Sequence, residues 1–385
     1  MTAPLSVIGA NSRLLLTQAA SPFDLLPGQS QLNYTFTFVL YDNVTGEFKR
    51  TLTPIANTVP QLAHDTTRSI KRQLTLSLGS ADIAVINVIR DRVDVALLLT
   101  TGVSYSLGSY IFTDETDTLF TSGSLGSLTL MDQEFTLDQP RAVGFPPGLK
   151  NDLNAGTASA TPVSRNCQFL AQLVLQDFPQ IQPVLAPTPY DTSNSWSYGT
   201  TSLQILTDLA LLGDYMSPWI DNDGFFRFLR TFDPAGVLPS FDWDTYPHVY
   251  ADSITETNDL LTAPNRFTVV SNSPSTGDAG QNIAIVASYD VPPTAPHSIK
   301  NRGFVVPEQL QLQIDTQAQA NAMAASIGIQ STIFQRVTLA TFPDPRHDSY
   351  DVVRWQGDNW LELAWQMDLI AGGHMTHTLR KTYTP

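Results

Sequence analysis

The chain has 385 residues, more than one ordinary domain, so two or three domains are expected, each long enough to bury its own core. Acidic side chains outnumber basic ones 36 to 21 and give a formal net charge of -15, which excludes a protein whose task is to grip phosphate backbones; the charge reads either as a solubilising surface or as a wall that DNA slides past without sticking. A single cysteine, Cys167, excludes an intrachain disulfide and a thiolate metal cluster, and no stretch approaches membrane-spanning length or carries a basic leader, so synthesis in the cytosol is expected.

From Asn11 to about Gln139 the chain reads as strands broken by turns. Leu32 to Tyr41 alternates with period two, Asp42-Asn43 and Thr45-Gly46-Glu47 supply a turn, and Phe48 to Leu52 returns, which predicts a long hairpin. Arg72 to Leu78, Val93 to Leu99, Tyr110 to Phe112 and Leu128 to Met131 continue the pattern and predict a small barrel or sandwich. Gly102, Gly108, Gly123 and Gly126 stand in no phosphate-binding pattern and read as turns.

Pro140, Pro146, Pro147 and Gly148 break the periodicity and mark a change of domain. Thr161 before Pro162 predicts a helix start, with Cys167, Leu170, Ala171, Val174 and Leu175 on the buried face as far as Gln176; Cys167 is then a core thiol. Pro179, Pro183, Pro187 and Pro189 read as a connector. Thr201 with Gln204 forms a capping box, apolar residues from Leu203 to Leu212 recur at helical spacing, and Gly213 ends the run. Trp219-Ile220, the turn Asp221 to Gly224, and Phe225 to Arg230 then predict a hairpin. Aligned with a calcium-binding loop, that turn would put Trp219 at the first ligand position and Arg230 at the twelfth, so the turn reading stands.

Beyond Pro239 the chain is β-rich again, with a hairpin from Asn265 to Ser271 and Ile283 to Tyr289, a long polar loop, and an alanine- and glutamine-rich helix from Asp315 to Ile327. Strands follow at Val337 to Phe342, Asp351 to Val353, Trp360 to Met367 and Met375 to Leu379, with Gly372-Gly373 turning before the last. The two ends echo each other: an alternating strand (Gln73 to Leu78, Val337 to Phe342) precedes an Asp-Val pair (Asp94-Val95, Asp351-Val352) and then another strand. The fold class expected is mainly β with an α+β middle unit, divided as 1–140, 141–235 and 236–385.

Motifs for nucleophilic, phosphate, zinc and dinucleotide chemistry are absent. His374 and His377, three apart in a strand, point to opposite faces and do not share a metal; His347, among Asp344, Arg346, Asp348 and Asp351, reads as part of a polar loop with ion pairs. Asp242 and Asp244 flanking Trp243 are the best carboxylate pair for glycoside hydrolysis, with Trp243 and Trp355 as sugar platforms. No catalytic, cofactor-binding or metal residue is assigned.

Leu203 to Ala210 continuing through Trp219-Ile220-Asp221 to Gly224-Phe225-Phe226-Arg227, and Tyr350 to Val353 through Trp360 to Asp368-Leu369, Gly372, Met375, His377 and Leu379-Arg380-Lys381, resemble the baseplate or tail-tip hub proteins of phage tails, most of all those of long non-contractile tails. The likeness lies mostly in residues 150 to 385. It implies two β-barrel-like tail-tube domains with an α+β domain attached, and a homotrimeric ring whose two tube domains per chain mimic sixfold symmetry. Such a ring sits in the virion at the tail tip, is assembled in the host bacterial cytoplasm, and joins a distal tail protein or tail tube above to tip or fibre proteins below. DNA and the tape-measure protein pass through its channel without specific binding. The strands Asp351 to Val353 and Trp360 to Met367 would make ring contacts, with the Thr201 to Arg230 unit outside. The family often carries a lysozyme or peptidase domain after the hub core; here the sequence stops at Pro385, so no enzymatic activity and no cofactor is expected. A cell-wall glycoside hydrolase and a receptor-binding module at the tip are the alternatives.

Overall fold

The computed structural model describes residues 33–113, 126–142, 144–145, 165–245, 254–259, 261–271, 275–276, 282–283, 285–312, 314–331 and 335–382. The N-terminal part supplies β1 (Tyr34–Asp42), β2 (Phe48–Leu52), β3 (Gln61–Asp65), β4 (Arg72–Leu78), β5 (Asp91–Leu99), β6 (Ser104–Phe112) and β7 (Gly126–Asp132). The predicted hairpin is β1 and β2, and every strand expected between Leu32 and Met131 is present. β3 was not legible as a strand because His64 and Asp65 interrupt its short apolar pattern. Alternation is strict in β4 and nearly so in β5, whose inward residues Leu74, Leu76, Leu78, Val93, Val95, Leu97 and Leu99 form the core of this part. Gly108 lies inside β6, at a bulge in its pairing with β5, and Gly102 is in the turn between them; Gly123 falls outside the described residues.

The middle part holds α1 (Cys167–Leu175), β8 (Gln182–Leu185), α2 (Ser202–Leu212), β9 (Trp219–Ile220) and β10 (Phe225–Phe228). The helix expected from Thr161 starts later: Arg165–Asn166 pairs as a short strand with Asp191–Thr192, and the Asn166 side chain accepts from the backbone N–H groups of Gln168 and Phe169, capping α1. Thr161 and Pro162 lie outside the described residues. Thr201 caps α2 through Gln204 N–H, but the box is not reciprocal, because the Gln204 amide donates to Asp208 instead. The proline-rich connector contains β8, which runs parallel to β10, and β10 turns back on β9 as the predicted hairpin. Asp221 holds that turn by accepting from the N–H groups of Asp223 and Phe225.

The last part comprises β11 (Phe241–Asp242), β12 (Thr255–Asn258), β13 (Arg266–Ser271), β14 (Val286–Asp290), β15 (Pro307–Leu312), α3 (Gln317–Ser331), β16 (Gln335–Thr341), β17 (Val352–Trp355), β18 (Asp358–Asp368) and β19 (Met375–Lys381). β13 and β14 form the expected hairpin. The long polar loop hides β15, which lies parallel to β13; its Pro-Glu-Gln-Leu-Gln-Leu sequence has too few β-branched residues to announce a strand. α3 packs on β13 and β14, and its Ala320, Met323 and Ala324 join α1, α2, β8 and β10 in one core.

β1 to β7, β11, β12 and β16 to β19 make one 13-stranded sheet in the order β12-β16-β19-β18-β3-β4-β7-β6-β5-β1-β2, with β17 on β18 and β11 on β17. The order contains one unit twice. In the first half it runs β3-β4-β7-β6-β5-β1, in the second β12-β16-β19-β18-β17-β11; numbering each unit's six strands along the chain, omitting β2, gives 2-3-6-5-4-1 in both. The sequence echo pairs β4 with β16 and β5 with β17, the third and fourth strands of the two units. They differ at the sixth place in the order, where β1 is antiparallel to β5 but β11 is parallel to β17.

β18 joins the two units. Its first half pairs with β17 and its second half, Ala364 to Asp368, with Asp65 to Gln61 of β3, while β19 lies along its other edge. A bulge at Leu363 separates the halves, and the freed Leu363 carbonyl accepts from the N–H and hydroxyl of Thr66.

Candidate functional site: a buried polar junction

After β16, Pro343 and Pro345 end the strand, and residues 343–351 run through the interior with all but Arg346 buried. A buried loop must find partners for its peptide groups. Asp344 accepts from Arg346 N–H, Asp351 from Asp348 N–H, and the Asn222 amide donates to the carbonyls of Pro345 and His347 at 3.1 and 3.0 Å.

Arg72 of β4 reaches the same place. Its guanidinium donates to Asn222 Oδ1 at 2.7 Å and to Asp348 Oδ1 at 2.6 Å, and Trp219 Nε1 donates to the same Asp348 oxygen at 3.1 Å. Burial opposes the charge on Arg72, but Asp348 together with Tyr110, Asp132 and Asp221 outweighs it and the guanidinium is held more firmly protonated than usual. Nearby, His64 Nε2 meets Ser349 Oγ at 2.7 Å and its ring stacks on Trp365. One loop therefore ties the first β unit, the middle hairpin and the second β unit through buried, charge-assisted bonds.

On the other side of the loop lies a second cluster. Glu362 of β18 points inward, with Oε2 2.7 Å from His347 Nδ1 and Oε1 2.5 Å from His377 Nδ1 of β19. His377 Nε2 is 2.8 Å from the Thr341 hydroxyl. Phe241 stacks on the His347 ring at 3.8 Å, and Trp243 stands edge-on to His377. All three side chains are essentially inaccessible. Burial alone would push Glu362 up, but the two imidazoles hold it down to about 2. Burial likewise pulls His347 down, yet Glu362 beside it prevails and raises it, whereas His377 stays below its usual range because burial wins. The cluster holds an ionised carboxylate between the two imidazoles, and its three ligand atoms lie within 4.8 Å of one another.

The polar-loop reading of His347 is correct for its neighbours: Arg346 pairs with Asp344 through both of its carboxylate oxygens. That reading missed Glu362, whose signal was a lone charge in the run Trp360-Leu361-Glu362-Leu363-Ala364-Trp365, where both faces of the strand are covered. His374 lies outside β19 and is exposed while His377 is buried, so the two share no ligand. Asp242 accepts from the N–H groups of Asp244 and Thr245, and Asp244 from those of Gln356 and Gly357; both carboxylates close turns. Cys167 is buried and its thiol is pushed up to about 12, which keeps it unreactive. The strands expected to make ring contacts are interior: Val352, Val353 and Trp360 to Leu363 are buried, and β18 is paired along both edges.

No protein-family model matches the chain, and no curated protein matches it in sequence. Solved structures do. A tail protein from Neisseria meningitidis MC58 superposes with a TM-score of 0.52 at 14% identity, over 90% of this chain and 97% of that one. The 43 kDa tail protein of prophage MuSo2 from Shewanella oneidensis gives 0.52 at 12% identity, over 90% and 98%. Prophage tail protein gp18 from Listeria monocytogenes EGD-e gives 0.51 at 8% identity, over 91% and 95%. The chain has the fold of phage tail proteins, as the resemblance of its two sequence stretches implied.

Proposed function

We propose that the chain is a structural component of a phage tail: a baseplate or tail-tip hub, without enzymatic activity, of which three copies close a ring that joins a sixfold tail tube to a threefold tip. The observation that carries this reading is the likeness to three tail proteins along nine-tenths of the chain. The repeated strand order supports it and suggests how the ring closes. Within the chain, the second strand of the first unit, β3, receives β18 on its free edge. Its counterpart in the second unit, β12, pairs among the described residues only with β16, and Thr255 to Asn258 are exposed. At the other end of the sheet β2 is, among the described residues, an open edge too, with Phe48, Lys49, Arg50 and Thr51 exposed. An open edge invites pairing with another chain, and these two edges are of similar length, four and five residues.

In this ring residues 1–140 and 236–385 supply the tube-like domains and 141–235 the domain outside them, to whose core α3, β13 and β14 add. The acidic chain keeps DNA and the tape-measure protein moving through the channel, between a distal tail protein or tail tube above and tip or fibre proteins below. Both carboxylates of the best hydrolase pair are spent on turns, so the hydrolase reading has no support of its own.

An averaged electron-microscopy map of the intact tail tests the proposal. Three copies around a duplex-wide channel are expected. A peripheral position, or absence from the tail, would overturn it.

A further inference from the structure

We propose that His347, Glu362 and His377 form a binding site for one divalent first-row transition-metal ion of the zinc class. Three donors from three different elements converge: the loop after β16 gives His347, β18 gives Glu362 and β19 gives His377. Both imidazoles present Nδ1 to the carboxylate, so the three donor atoms face one another and not solvent. Two nitrogens and one carboxylate oxygen are the donor set such ions favour, and a hard cation such as magnesium or calcium would take oxygens instead.

The surroundings resemble a metal site more than an ordinary ion pair. A ligating histidine usually engages its second nitrogen with a fixed polar group; His377 Nε2 meets Thr341, whose hydroxyl oxygen lies 2.9 Å from the Phe342 carbonyl. When the Thr341 hydrogen goes to that carbonyl, its oxygen can accept Nε2–H, so His377 can give up the Nδ1 hydrogen it shares with Glu362 and ligate through that atom. A cation between them replaces that hydrogen bond with two metal–ligand bonds. The stacked ring of Phe241 and the indole of Trp243 fix the imidazoles and wall the site off from water. Asp344, buried near both histidines, adds negative field without leaving Arg346.

The present contacts of 2.5 and 2.7 Å are hydrogen-bond lengths. Ligands on a tetrahedral zinc ion stand about 3.3 Å apart, as bond lengths near 2.0 Å require. Loading the site therefore asks the side chains to part by roughly half an ångström or a little more, within the reach of small χ adjustments, and the Nδ1 hydrogens now donated to Glu362 to leave as the ion binds. Because the cluster is enclosed, the ion would enter as the chain folds.

The test uses the full chain purified from cells grown with added zinc, with metal content measured by mass spectrometry under native conditions and by elemental analysis. About one zinc ion per chain is expected, and none in Glu362→Gln. Refolding with cobalt(II) in place of zinc should give the visible absorption of a nitrogen- and oxygen-ligated tetrahedral ion. Refolding with excess zinc should raise the melting temperature by about 5 °C over refolding with chelator. Should Glu362→Gln fail to fold, the wild-type comparison with and without zinc decides alone. A metal-free protein whose melting temperature ignores zinc, and which gives no cobalt spectrum, would overturn the proposal and leave a hydrogen-bonded core cluster.

Discussion

Arg72 shows how a single side chain can hold three parts of a molecule. It is fully buried, and its charge is answered by Asp348 and Asn222. Removing one partner of a buried pair costs more than the pair contributes, since the other charge is stranded. Arg72→Met is expected to destabilise by about 3–5 kcal/mol in denaturant unfolding, and Asp348→Asn in the same chain to recover part of that loss. A second expectation concerns acid. Burial holds His64 well below its usual range and His297 down to about 4, so both are neutral in the fold. The unfolded chain binds their protons first as pH falls below about 6.5, so the stability they contribute is complete above that pH and is lost as pH falls through their folded values, about 4 for His297. Thermal melts between pH 7 and pH 4 should fall accordingly. His64→Gln, which can still bond Ser349, should make that fall shallower. None of these partners was legible in sequence: Arg72 and Asp348 are 276 residues apart, and periodicity speaks only of neighbours along the chain.

Elements were legible where their pattern was self-sufficient. α2 announced itself through Thr201 and its apolar spacing, and β4 and β5 through alternation. β8 and β15 were not, because each is defined by the parallel strand beside it and not by its own residues. α1 was misplaced at its start because Thr161-Pro162 is a stronger textual signal than Asn166, the residue that caps it. Asn166→Ala should therefore cost about 1 kcal/mol in urea unfolding. α3 depends on a close approach: a methyl group on Gly328 would stand 2.2 Å from the ring of Tyr289 on β14. Gly328→Ala is expected to lose about 1–3 kcal/mol by pushing helix from sheet, despite the better helix propensity of alanine.

For the molecule as a whole, the duplication was faintly legible and its consequence was not. The echo named two strand pairs correctly, but nothing in it says that β18 would bridge the units. The buried cluster at Glu362 was hidden for a similar reason, since His347, Glu362 and His377 meet only when the second unit is folded. The ring reading belongs at this scale. Glu256→Lys, on an exposed edge, should leave the melting temperature of the isolated chain nearly unchanged and lower the fraction of trimer seen by analytical ultracentrifugation under assembling conditions. Unaltered association would place the contact elsewhere.

The joint between β18 and β3 also has a mechanical character. Its five residue pairs, Ala364 to Asp368 against Asp65 to Gln61, run along the strands. A pull parallel to them loads all five at once, whereas a pull across them would open them one by one. The Thr66 bonds to Leu363 sit at one end of the row, where such peeling would begin, and act as its stop. The seam is therefore stiff in the strand direction and latched at one end, so a load along the strands would be shared by both units.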